Sequence, residues 1–264
     1  VTALPHWLER WSGGGGSAAT LRAWVKAPAI GATSGATLRL YWGNPSASSA
    51  SDPTGPWDSD FLVVCPGHDG ASSAKIANLV GNVEINKRAA DQPLQTSGLI
   101  DKAQQFGATH WARTADATTV QSAAWTVEAL VKYPAPPSGT LLCLSGWHNV
   151  SRTAVCWGAL LRPTLWKGAS NYRYWDAAAW NTIRDGGWHH VAFTNVGDAQ
   201  ADIDSAEMFV DGAAQAVSET LASGPVDSPN GYNFYLGSSN NTILPNSIQA
   251  LVSQFRFSRV VRST

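Results

Sequence analysis

Charge is what this chain has least of. Only 14% of its 264 residues are Asp, Glu, Lys or Arg, and the formal net charge is -1. Such a chain builds no field that would draw it to nucleic acid or to an anionic membrane. Arg152, Arg162, Arg173 and Arg184 are scattered and form no basic stripe. Long apolar runs are also lacking, and none approaches the roughly 20 residues that span a bilayer. Neither nucleic-acid binding nor membrane insertion is expected. No signal peptide is read, although a chain that opens at Val1 is compatible with processing. Cysteine is sparse: Cys65, Cys143 and Cys156 make neither a disulfide framework nor a metal-ligand spacing.

Tryptophan, by contrast, is abundant, with 13 residues to be housed in a core or on a binding face. The stretch Trp188-His189-His190-Val191-Ala192-Phe193 alternates in polarity, as does Met208-Phe209-Val210 before Asp211-Gly212. Each half predicts a half-buried strand. Asp-Gly predicts a tight hairpin turn, because Gly tolerates the positive φ that such turns need. Adjacent strand residues face opposite sides of a sheet, so His189 and His190 are expected to be structural rather than joint metal ligands.

Elsewhere, Pro5 to Trp11 reads as a short helical turn with Trp7, Leu8 and Trp11 on one side. The Gly13–Ser17 run follows as a flexible tether, natural or engineered. Strands are expected at Leu21 to Ala27, Thr37 to Trp42, Phe61 to Val64, Trp125 to Lys132, Tyr232 to Leu236 and within Ile248 to Val261. Trp125, Val127, Ala129 and Val131 should point inward, and Phe255 and Phe257 should share one face. Gly67 to Gln104 reads as polar and irregular. Trp166 to Ile183 reads as short strands with long loops.

Leu141 to Trp147 and Arg152 to Leu161 predict a hairpin. A two-residue loop at Asn149-Val150 would set Cys143 opposite Cys156. Two reduced buried thiols and a cross-strand disulfide are both compatible with that placement.

In order and spacing, Phe106-Gly107, Trp125-Thr126-Val127-Glu128, Trp188-His189-His190-Val191, Phe209-Val210-Asp211-Gly212, Leu236-Gly237 and Phe255-Arg256-Phe257-Ser258 resemble the laminin-G-like, concanavalin A-like superfamily. Trp24-Val25-Lys26, Leu40-Tyr41-Trp42-Gly43-Asn44-Pro45 and Trp57-Asp58 resemble the end of a small β-rich domain of unknown function found in bacterial and phage surface proteins. Its upstream strands have no counterpart here, which suggests a truncated or processed chain, or a minimal version that pairs with something else. The resemblance implies an all-β fold: an antiparallel jelly-roll β-sandwich over residues 59–264, with a short β-rich N-terminal extension over residues 1–58.

The hydrolytic branch of this superfamily carries Glu-x-Asp-x-x-Glu on one strand, and the motif does not occur here. Glu9, Glu84, Glu128, Glu207 and Glu219 are each isolated, so catalysis is not expected and a polysaccharide-active enzyme ranks last. Aromatic residues set among amides and carboxylates suit a glycan platform, since sugar rings stack on aromatic faces while polar groups bond their hydroxyls. The candidate ligand-binding residues are Trp147, His148, Asn149, Trp166, Asn171, Tyr172, Tyr174, Trp175, Asp176 and Trp180. Core packing or a protein interface is the other use for these rings. Asp198, Asp202 and Asp204 lie in one loop, which is either a calcium rim of the kind the resemblance implies or a solvated acidic loop. The expected role is a non-catalytic recognition module, extracellular, at a cell surface or on a virion, that binds a glycan or cell-surface protein. Its rival is a structural, decoration or tail protein of a phage particle, assembling with other virion or surface subunits.

Overall fold

The computed structural model describes residues 3–13, 18–28, 35–107, 109–115, 124–133, 143–147, 153–157, 163–167, 171–196, 205–221, 234–237 and 250–262. The chain divides into two compact units, Val1–Ser59 and Asp60–Thr264.

In the first unit, β1 (His6–Ser12) pairs antiparallel with β2 (Thr20–Val25), Trp7 opposite Trp24. The expected helical turn at Pro5 to Trp11 is therefore a strand. Its apolar residues fit a helical spacing, but the chain meets a partner, and the Trp24 indole N–H donates to Glu9 across the pair at 2.6 Å. The strand expected at Thr37 to Trp42 is absent too. Those residues pair with no other described strand, and Leu38, Leu40, Tyr41 and Trp42 stand exposed, Trp42 by 80%.

The second unit holds two antiparallel sheets. Its strands are β3 (Phe61–Cys65), β4 (Lys75–Ile76), β5 (Ile85–Lys87), β6 (Leu94–Ser97), β7 (Lys102–Phe106), β8 (Ala112–Thr114), β9 (Trp125–Lys132), β10 (Cys143–Trp147), β11 (Thr153–Trp157), β12 (Pro163–Lys167) and β13 (Asn171–Trp175). After the short helix α1 (Ala177–Thr182) come β14 (Trp188–Asn195), β15 (Glu207–Val210), β16 (Ala213–Ala214), β17 (Val217–Leu221), β18 (Phe234–Gly237) and β19 (Ala250–Ser258). One sheet has nine strands in the order β17-β13-β12-β11-β10-β18-β8-β5-β4. The other has eight, β16-β15-β14-β9-β19-β7-β6, with β3 added against β19. The polar stretch Gly67 to Gln104 thus supplies short edge strands, and Phe106 closes β7.

Rings meet across the sandwich. Phe234 of β18 packs on Phe255 and Phe257 of β19 at 5.4 and 5.5 Å, and Trp175 of β13 meets Phe193 of β14 edge-on at 5.5 Å. Trp125, Val127, Ala129 and Val131 all turn into this core, as the alternation of β9 requires. β19 changes parity midway. Gln254 takes a left-handed φ of 51° at a bulge, so Ala250 and Val252 before it and Phe255 and Phe257 after it face the same core. A polar clasp also ties the sheets at one edge. Lys87 of β5, its side chain 1% exposed, donates to Asp69 at 2.6 Å, and Gln104 of β7 donates to the same carboxylate oxygen at 2.9 Å.

Candidate functional site

Asp211 and Gly212 form a two-residue turn between β15 and β16 with φ of 50° and 80°, the pair of positive values that a type I′ hairpin needs. The Asp211 carboxylate reaches back to β14. One oxygen accepts the His190 backbone N–H at 2.9 Å, and the other accepts from His189 Nδ1 at 2.8 Å. His189 Nε2 meets Asp185 at 2.9 Å. Both partners are acceptors, so the two bonds together require the doubly protonated imidazolium. Partial burial alone would lower the His189 pKa; the bonds to Asp185 and Asp211 outweigh it and raise the value above the ordinary one. No group of three or more His, Cys, Asp or Glu among the described residues is arranged to hold a metal ion.

His190 points to the other side of β14. Its Nε2 meets Glu128 of β9 at 3.0 Å, and Arg256 of β19 approaches the same carboxylate at 3.1 Å. Burial alone would raise the Glu128 pKa. The His190 hydrogen bond and the charges of Arg256, His190 and Arg262 prevail and lower it. A general acid needs the reverse shift, so this carboxylate is built to stay ionised and to hold three strands together.

The opposite sheet presents a different surface. Trp175 is fully buried in the core, so strand alternation sets its neighbour Tyr174 on the outer face of β13. Backbone register runs a row of paired positions across the sheet from position 172. Tyr172 lies opposite Trp166, Trp166 opposite Ala154, Ala154 opposite Gly146, and Gly146 opposite Tyr235. Tyr235 in turn lies opposite Arg113, followed by Asn86 and Lys75. The row therefore has aromatic positions at both ends of a stretch of two small ones. At the second end, Tyr235 is itself buried, 2% exposed, beneath the half-buried Trp111 at 5.6 Å, and the exposed Arg113 lies over the Trp111 ring at 5.9 Å.

This register sorts the candidate residues. Trp166 and Tyr172 are paired positions in that row, and Tyr174 lies two residues on from Tyr172. Trp175 is withdrawn from the candidate surface, because it fills the core. Asn171 opens β13, and Trp147 ends β10 opposite Phe234. Asp176 is exposed at the start of α1, its N–H bonded to Ala216 at 2.9 Å, and Trp180 sits on that helix. His148, Asn149, Asp198, Asp202 and Asp204 lie outside the described residues, so the calcium rim does too. Trp111, Arg113 and Tyr235 went unread in the sequence. Trp111 and Arg113 lie two residues apart, Tyr235 lies within the strand read at Tyr232 to Leu236, and only the strand order brings the two segments together.

Two stacked antiparallel sheets with this order define an all-β jelly-roll sandwich. Residues 106–264 match the family model described as the concanavalin A-like lectin/glucanases superfamily, and the chain belongs to that superfamily. Residues 1–61 match the domain of unknown function DUF2341. No curated protein matches the chain. Among solved structures, domain 4 of AbnA, a GH43 extracellular arabinanase from Geobacillus stearothermophilus in complex with arabinotriose, is similar at 17% identity and a TM-score of 0.56. That match covers 75% of this chain and 92% of the other. A sialidase from Trypanosoma rangeli in complex with 2,3-difluorosialic acid is similar at 13% identity and a TM-score of 0.51. It covers 84% of this chain, which spans 34% of the sialidase. At these identities the likeness is one of fold.

Proposed function

We propose that this chain is a non-catalytic recognition module, displayed outside a cell or on a virion surface, that binds a glycan. The binding surface is the outer face of the nine-stranded sheet. The observation that carries this reading is the row Tyr172, Trp166, Ala154, Gly146, Tyr235 and Arg113, which sets aromatic positions on either side of a small-residue stretch about two strands wide. Adjacent strands lie about 4.8 Å apart, so the stretch is wide enough for one pyranose or furanose ring. Aromatic faces stack on the ring, at the second end Trp111 rather than the buried Tyr235, and the Arg113 guanidinium donates to its oxygens. The sugar-bound arabinanase domain, similar in fold, supports the same reading. The non-catalytic part rests on the missing Glu-x-Asp-x-x-Glu motif and on a Glu128 held ionised. Glycan-array screening of the full chain, followed by calorimetry on the hits, tests it. No glycan binding, together with stable packing against another protein, would overturn it.

A second reading has its own observation. Leu38, Leu40, Tyr41 and Trp42 are exposed by 54, 59, 68 and 80% in the first unit, an apolar segment suited to assembly with other subunits of a phage particle or surface layer. Recovery of the chain as a stoichiometric component of purified particles would favour that role.

A further inference from the structure

We propose that Cys143 and Cys156 are a disulfide site, joined across β10 and β11 when the chain meets an oxidising environment. The inference is independent of the glycan reading. The two cysteines are direct Cα partners in the antiparallel ladder. Such partners lie about 4.5 or 5.5 Å apart, depending on whether the pair is hydrogen-bonded. Both spacings fall within the roughly 4.4–6.8 Å that a disulfide bridges.

The pairing does not follow from the register of the rest of the hairpin. Trp147 pairs with Thr153, Gly146 with Ala154 and Ser145 with Val155; continued without interruption, that register would set Cys143 opposite Trp157. Instead the ladder shifts by one residue between Cys143 and Ser145, leaving Leu144 as the extra residue, and the shift brings Cys143 level with Cys156. β10 makes the same shift against β18, where Cys143 lies opposite Gly237, a residue with no side chain. The bulge thus makes Cys143 the direct backbone partner of Cys156 on one side and of Gly237 on the other. The third cysteine, Cys65, is buried on β3 in the other sheet. Burial raises its thiol pKa and keeps it unreactive.

The chemistry is thiol–disulfide exchange with a small-molecule disulfide such as oxidised glutathione. The thiolate of one cysteine attacks a glutathione sulfur, forming a mixed disulfide and releasing one glutathione thiolate. The thiolate of the second cysteine then attacks the protein-bound sulfur and expels the other glutathione. Two protein thiols lose two electrons and two protons, and one glutathione disulfide becomes two glutathione thiols. Persistence of the bond would fit an extracellular or virion setting.

The test equilibrates the full chain with oxidised glutathione, unfolds it without reductant in the presence of iodoacetamide, and measures intact mass and linked peptides. The expected product carries one alkyl group, on Cys65, and a single intrachain link between the peptides holding Cys143 and Cys156. Reduction before alkylation should give three alkyl groups. Three alkyl groups without reduction, stable glutathione adducts on Cys143 or Cys156, or a link between two chains would each overturn the proposal.

Discussion

His189 sits between two carboxylates, so its charge matters to the hairpin that it anchors. Its folded pKa is raised, because the bonds to Asp185 and Asp211 more than offset the cost of partial burial. A raised pKa contributes stability that is fully present below the unfolded value of about 6.5 and is lost as pH rises through the folded value. Wild type should therefore exceed His189→Gln in melting temperature most at pH 5–6, with the gap narrowing as pH rises above about 6.5; thermal melts across that range check it. A gap that does not change with pH would contradict the bridged imidazolium. At this scale the sequence was legible where one conformation admits few residues. Asp211-Gly212 announced its turn because both positions need a positive φ. Trp175 was not legible, since the adjacent Tyr174 and Trp175 put a ring on each face of one strand and alternation alone cannot tell core from surface.

At the scale of elements, turns and bulges set the geometry, and two glycines separate backbone freedom from space. Gly212 and Gly237 both have left-handed φ, 80° and 83°. A Cβ on Gly212 would meet nothing within 4 Å, whereas one on Gly237 would lie 2.5 Å from the Phe106 ring. Gly212→Ala should cost about 1–2 kcal/mol, the penalty of a left-handed L-residue. Gly237→Ala should cost roughly 1–3 kcal/mol more, because the ring must also move. Urea unfolding of both variants checks the order; equal losses would show that the Phe106 contact carries no weight. Bulges were the illegible part. Nothing in the residues around Leu144 or Gln254 marks an extra residue, yet each resets the pairing beyond it. The helical turn misread at Pro5 to Trp11 has a related cause, because apolar spacing at 7, 8 and 11 does not reveal that β2 waits to pair with it.

For the whole molecule, the clearest division is that, among the described residues, the buried core draws on Val63 to Phe257 and on nothing from 1–59. Residues 60–264 should therefore fold alone, and their isolated melting transition should be single and cooperative; a broad transition would show that the first unit completes the fold. Jelly-roll class was legible because strands such as Trp125–Lys132 and Trp188–Asn195 carry their alternation locally. The binding face was not, since its row joins Tyr172, Trp166, Tyr235 and Arg113 across six strands whose order no local pattern encodes. That row is also where the account is most directly tested. Calorimetric titration of an array-selected oligosaccharide into wild type, Trp166→Ala and Tyr172→Ala, with folding checked by circular dichroism, reads it. A stacked ring is worth about 0.5–1.5 kcal/mol, so each substitution should weaken binding by about 2- to 13-fold while leaving the fold intact. Undiminished affinity in both folded variants would contradict a glycan site on this face.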